Sequence, residues 1–203
     1  KGRTLAVPKS GTRPTSERVR EALFSRLDHM NVLNGTTVLD LYAGTGALGL
    51  EALSRGAARA TLVEKASAAA RVASANVSAT GLSARVVTAD ARSYLCARTG
   101  EDLRGDVDLV FIDPPYDIPE ADMTAVLSLL GPWIGPDALV VVERSTRAPA
   151  PTWPPFLVLE DQRTWGETVA YFAGPPLPTE DSEGGVSAPE EAEASSMSEE
   201  DRR

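Results

Sequence analysis

The chain has 203 residues, with 20 Lys and Arg against 29 Asp and Glu and a formal net charge of -9, a length that suits one domain with a small appendage and a sizeable core. No stretch approaches the ~20 apolar residues of a membrane span and no secretory signal opens the chain. One Cys (Cys96) and one His (His29) exclude a disulfide scaffold, a Cys/His metal cluster and most Ser-His or Cys-His catalysis, and the acidic balance taken whole argues against a nucleic-acid partner.

The first element is a helix over 15 to 30. Thr15 or Ser16 is its expected cap, Pro14 stops it extending backwards, and Val19, Leu23, Phe24 and Leu27 recur with helical period. Arg13, Arg18 and Arg20 lie near its start, as an RNA-facing patch or as an ordinary solvated face. Beyond the turn Asn34-Gly35, TTVLDLYA is a short apolar run typical of a strand buried on both faces. A glycine loop and the helical ALGLEALSRG follow, then strand ATLVEKA and helix ASAAARVASANVSATG, which Gly81 ends. ARVVTADA is a third strand, ARSYLCART a helix and DVDLVFIDPPY a fourth strand closed by a Pro-Pro turn. TAVLSLLGPWI reads as a helix and DALVVVERS as a fifth strand. This alternation with short connections predicts a parallel sheet flanked by helices. FLVLEDQR and ETVAYFA then form a hairpin around Thr164-Trp165-Gly166. The predicted fold is α/β: a mostly parallel, seven-stranded Rossmann-like sheet ending in an antiparallel hairpin, which is the pattern of S-adenosylmethionine-dependent methyltransferases rather than of dehydrogenases.

Gly44-Thr45-Gly46-Ala47-Leu48-Gly49 fits G-x-G-x-x-G between a strand and a helix. Glu64 ends the next strand 20 residues on, where a carboxylate can accept from ribose hydroxyls. Close packing alone is the other reading of these glycines. A dinucleotide brings a pyrophosphate that wants an open helix N-terminus. S-adenosylmethionine brings a sulfonium and an ammonium, for which an acid such as Asp40 is helpful. Asp90 is placed to reach the adenine. Helix capping or loop hydrogen bonding is the alternative for both aspartates.

The most specific feature is Asp113-Pro114-Pro115-Tyr116. The prolines fix a rigid turn at the carboxyl end of a central strand, where open α/β sheets bind ligands. The Asp113 carboxylate and the Pro114 carbonyl can accept two hydrogen bonds from one exocyclic amine. They thereby orient a weak nucleophile and stabilise its developing charge. Tyr116 can stack on an unpaired base.

With these motifs in order, RPTSERVREALF, VLDLYAGTGALGLEALSRGA, TLVEK, FIDPPY and RTWGET, the sequence resembles the bacterial RsmD family, which methylates the N2 amine of one guanine in small-subunit ribosomal RNA. The resemblance covers residues 1 to about 173. It implies S-adenosylmethionine as methyl donor, small ribosomal subunit RNA as partner, a monomer, and a cytoplasmic location with no membrane. Carried over, Gly44, Gly46, Glu64 and Asp90 are cofactor positions, with Asp40, Tyr42, Lys65, Ala91 and Asp113 beside them. Asp113, Pro114 and Tyr116 form the target-amine site, and Arg13, Thr15, Arg18 and Arg20 belong to the RNA-facing signature. Tyr42 stands where many methyltransferases have the first glycine of the loop. The alternatives are a DNA amine methyltransferase acting on adenine N6 or cytosine N4, a non-catalytic ribosome-assembly factor retaining the cofactor fold, and a small-molecule dehydrogenase, for which the chain scarcely offers an acid-base residue.

Charge sharpens the division of the chain. Residues 1 to 26 carry net +5, residues 27 to 173 net -7, and residues 174 to 203 net -7. The expected organisation is a basic extension over 1–14, a methyltransferase domain over 15–173 and a disordered acidic tail over 174–203. The tail is a solubilising extension or a tethered phosphate mimic that competes for the basic patch. The first residue is Lys rather than Met, so the natural start is expected upstream. A basic start on an acidic fold suits selectivity for one shaped site rather than general nucleic-acid binding.

Overall fold

A computed structural model describes residues 14–97 and 105–177. Arg13, most of the basic extension, the side chain of Thr15 and the tail beyond residue 177 lie outside the described residues.

The elements alternate as the periodicity predicts. They are α1 (Pro14–His29), β1 (Thr37–Asp40), α2 (Ala47–Ser54), β2 (Arg59–Glu64), α3 (Ser67–Thr80), β3 (Ala84–Thr88), α4 (Ala91–Ala97), β4 (Val107–Ile112), α5 (Glu120–Ser128), β5 (Ile134–Ser145), β6 (Val158–Trp165) and β7 (Thr168–Gly174). One seven-stranded sheet runs β3-β2-β1-β4-β5-β7-β6. The first five strands are parallel, and β7 pairs antiparallel with both β5 and β6. The order reverses between β1 and β4, and a crevice outside the carboxyl ends of those two strands is where such sheets take ligands. No helix among the described residues is long and apolar enough to cross a membrane.

Alternation along the strands supplies both core faces. Leu39, Val110, Ile112, Val140 and Val142 face Leu95, Met123, Leu127 and Trp133, the layer of α4 and α5. Val38, Leu109, Phe111 and Val141 face Leu23, Phe24 and Leu27 of α1 and Leu50 and Leu53 of α2. Phe24 and Phe111 are fully buried with ring centroids 5.8 Å apart, so α1 is an integral layer of the domain.

Three boundaries differ from expectation. Helix α5 spans Glu120–Ser128, several residues earlier than the apolar run suggests. Gly131-Pro132 cannot continue it, while Glu120 and Asp122 in its first turn suit the positive end of the helix dipole. Ile134 consequently opens β5, paired with Val107, instead of closing a helix. At the hairpin, Trp165 pairs with Thr168, so the loop is Gly166-Glu167 rather than Thr164-Trp165-Gly166. Gly166 takes φ 61°, a conformation that short hairpin loops require and a side chain resists.

Candidate active site

The cleft forms where the strand order reverses. Leu41 N donates to Phe111 O at 3.0 Å and Ala43 N to Val63 O at 3.0 Å, so the chain leaving β1 is tied to both neighbouring strands. The glycine loop is then held from below. Asn76 of α3, buried, donates from Nδ2 to Thr45 O at 3.0 Å. Gly49 packs so closely on β2 that a Cβ there would collide with Leu62 Cδ2.

Asp40 lies beneath this loop, 1% exposed, and does not line the cleft. Gly46, the residue before α2, has no side chain to cap the helix, and Asp40 Oδ2 accepts from Gly49 N at 3.1 Å in its place. Burial pushes the Asp40 carboxyl up to about 7, against the opposing Gly49 hydrogen bond, with Asp113 and Glu64 adding repulsion. The backbone N–H of Tyr42 acts on the same carboxyl in the same sense as that of Gly49.

The cleft has a volume of about 1010 Å³. Tyr42, Glu64, Lys65, Asp90 and Ala91 line one side, and Asp113, Pro114 and Tyr116 another. Gly44 and Gly46 are not among the lining residues: Gly44 N donates to Glu64 Oε2 at 2.8 Å, and Gly46 packs against Leu62 and Leu50. Glu64 Oε1 accepts from Ala66 N at 2.6 Å. A carboxylate offers about four acceptor positions, so two stay open to a ligand's hydroxyls. Asp90 Oδ1 accepts from Ser93 N at 3.2 Å at the start of α4, and Lys65 Nζ stands 3.6 Å from Asp90 Oδ2. Arg18 is exposed and Arg20 half-buried on α1, and neither lines the cleft.

Asp113 follows the last residue of β4 and opens onto the cleft. The residue is solvent-exposed, and desolvation by the protein surrounding the cleft raises its pKa to about 6. Sequence reasoning passed over a neighbour: Glu143 follows Val142, which pairs with Ile112 beside Asp113. Its carboxyl is pushed up to about 8 by burial and by Asp113 and Asp40. Thus the carboxyl ends of β1, β4 and the adjoining part of β5 concentrate three carboxylates. The signal was a lone acid in the apolar run VVVERS. Asn76, a lone amide in an alanine-rich helix, was missed in the same way. Burial, Asp90 and Asp122 raise the Tyr42 hydroxyl to about 12, so it stays a neutral donor.

The cleft lining carries five carboxylates, Glu64, Asp90, Asp113, Asp117 and Asp122, against Lys65 and Arg92. Such a surface repels a pyrophosphate and attracts a cation. The helix N-terminus that a pyrophosphate would use is already occupied by Asp40.

The family model for Conserved hypothetical protein 95 matches residues 1–174. Ribosomal RNA small subunit methyltransferase D of Escherichia coli is 39% identical over 173 residues, covering 84% of this chain and 83% of the relative. The protein of the same name from Haemophilus influenzae is 33% identical over 165 residues, covering 81% and 84%. The chain belongs to this methyltransferase family. The solved structure of yhhF from Escherichia coli superposes with a TM-score of 0.73 at 36% identity, covering 86% of this chain and 93% of that one.

Proposed function

We propose that this protein transfers a methyl group from S-adenosylmethionine to the exocyclic N2 amine of a guanine in small-subunit ribosomal RNA. The names of its relatives support the RNA. One observation carries the donor: an acidic cleft whose adjoining helix N-terminus is closed by Asp40 fits a cationic cofactor and not a dinucleotide.

Glu64 would hold the ribose hydroxyls, Asp90 and Ala91 the adenine side, and Tyr42 and Lys65 the adjoining wall. When bound, S-adenosylmethionine supplies an electrophilic methyl on a sulfonium. The protein's part is positioning and charge. Asp113 as carboxylate and the Pro114 carbonyl each accept an N–H of the target amine, which aims its lone pair and stabilises positive charge growing on nitrogen. Tyr116, 75% exposed, offers a ring face for the base. Pro114 is buried and Pro115 has no N–H, so the turn keeps these acceptors in place without reorganisation.

Incubation with labelled S-adenosylmethionine and naked RNA, small subunits or DNA, followed by nucleoside analysis, tests this. Label in N2-methylguanosine from subunits is expected. Label in DNA, or in another nucleoside, would overturn it.

A further inference from the structure

A second cavity of about 390 Å³ opens beside the cleft, lined by Tyr116, Ser145, Arg147, Ala148 and Glu167. Tyr116 also lines the larger cleft, so its ring stands between the two. The other walls come from segments far apart in sequence, the chain leaving β5 and the hairpin loop. The β5–β7 ladder reaches Ser145 opposite Thr168, and Thr146 N donates to Glu167 O at 2.9 Å one step beyond. Arg147 N donates to Ser145 Oγ at 3.2 Å, and Arg147 Nη2 donates to Glu167 Oε1 at 3.0 Å. Both side chains are largely exposed, at 84% and 71%. An exposed pair of this kind contributes little to stability, so either side chain can exchange its partner for a ligand at small cost to the fold.

We infer that this pocket receives the base to be methylated, and that Arg147 and Glu167 read its edge and determine specificity for guanine. The inference rests on the proposed function and names the part of the site that chooses the substrate. Along its pairing edge guanine presents the N2 amine, then N1–H, then O6. With the amine at Asp113 and Pro114, N1–H meets the Glu167 carboxylate and O6 meets the Arg147 guanidinium. An ionised glutamate only accepts and an arginine only donates, so the pair spells a fixed pattern. Adenine, held by its N6 amine, sets an acceptor at N1 against Glu167. Cytosine, held by N4, does the same with N3. Each wrong base sets an acceptor against the Glu167 carboxylate where guanine sets a donor, a repulsive element that discriminates. The mutual ion pair keeps both side chains ordered before the base arrives, which lowers the entropic cost of binding.

The test compares wild type with Glu167→Gln and Arg147→Met on small subunits that carry either guanine or 2,6-diaminopurine at the methylated nucleotide. Diaminopurine keeps the N2 amine but has an acceptor at N1 and a donor in place of O6. Wild type is expected to prefer guanine by about tenfold to a hundredfold in kcat/KM. Glu167→Gln, whose amide can donate to N1, narrows that ratio by about tenfold, and Arg147→Met lowers guanine kcat/KM by a similar factor. Affinity for S-adenosylmethionine and melting temperature stay at wild-type values for both variants. A rate that falls with the ratio unchanged, or a variant indistinguishable from wild type, overturns the inference alone. Wild type that forms no N2-methylguanosine overturns the proposed function and this inference with it.

Discussion

Glu64 and Asp113 both stand at the carboxyl end of a parallel strand and both line the same cleft, yet they are held in opposite ways. Glu64 accepts two backbone N–H bonds, from Gly44 and Ala66, which fix the loop as much as they fix the carboxylate. Asp113 is exposed to the cleft, and partial desolvation by the protein around it raises its pKa to about 6. The first is a structural carboxylate with spare acceptors. Under the proposed function the second keeps its acceptor capacity for the target amine, so that binding the donor and activating the acceptor fall to different residues of the same chemical type.

The largest expected effect tests the reactive side. Asp113→Ala removes an acceptor that acts where charge develops, so methyl transfer should fall by about 10²–10³ or more in kcat. Cofactor affinity measured by calorimetry should stay near wild type. A parallel loss of cofactor binding would erase the proposed separation.

Glu64→Ala tests the other side. Loss of hydrogen bonds to a charged group should weaken S-adenosylmethionine binding by about 1.5–3 kcal/mol. Melting temperature should fall as well, because Gly44 N and Ala66 N lose their acceptor. A loss of turnover at saturating cofactor with affinity intact would assign Glu64 to chemistry instead.

A pH profile separates the two without mutation. Asp113 accepts its N–H of the target amine and offsets the growing positive charge far better when ionised, and its pKa is raised, so turnover at saturating substrate should drop as pH falls through about 6. A profile flat from pH 5 to 8 would show that its ionisation does not limit the reaction.

The asymmetry between these carboxylates also explains what could be read from sequence. Glu64 and Asp113 were legible because a strand pattern ends at each and a glycine loop or a Pro-Pro turn marks the place. The sheet and its closing hairpin were legible through periodicity. Ile134 was not, because an apolar run after a helix satisfies either element until Gly131-Pro132 is weighed. Glu143, Arg147 and Glu167 were not, since only β5 lying between β4 and β7 brings Glu143 near Asp113 and sets Arg147 and Glu167 around the cavity that Tyr116 lines. Charge at a strand end states a possibility, and long-range register decides what it meets.

Asp40 provides the smallest and most local test of the comparison. Like Glu64 it accepts a backbone amide, here in the first turn of α2, yet like Asp113 its pKa is raised, in its case by full burial, to about 7. A carboxyl whose folded pKa lies above its unfolded value of 3.8 binds its proton more tightly in the native state. Its stabilising contribution is therefore fully present below about pH 4 and is lost as pH rises through about 7. Asp113 and Glu143 act in the same direction. The melting temperature of the free protein should accordingly decline between pH 4 and 8. Asp40→Asn keeps an oxygen for Gly49 N and removes the buried charge, so it should flatten that decline and leave the protein more stable than wild type at pH 8. A melting temperature that rises with pH across this interval would mean that Asp40 is held as a carboxylate in the free protein, as Glu64 is, by a partner beyond the Gly49 and Tyr42 amides.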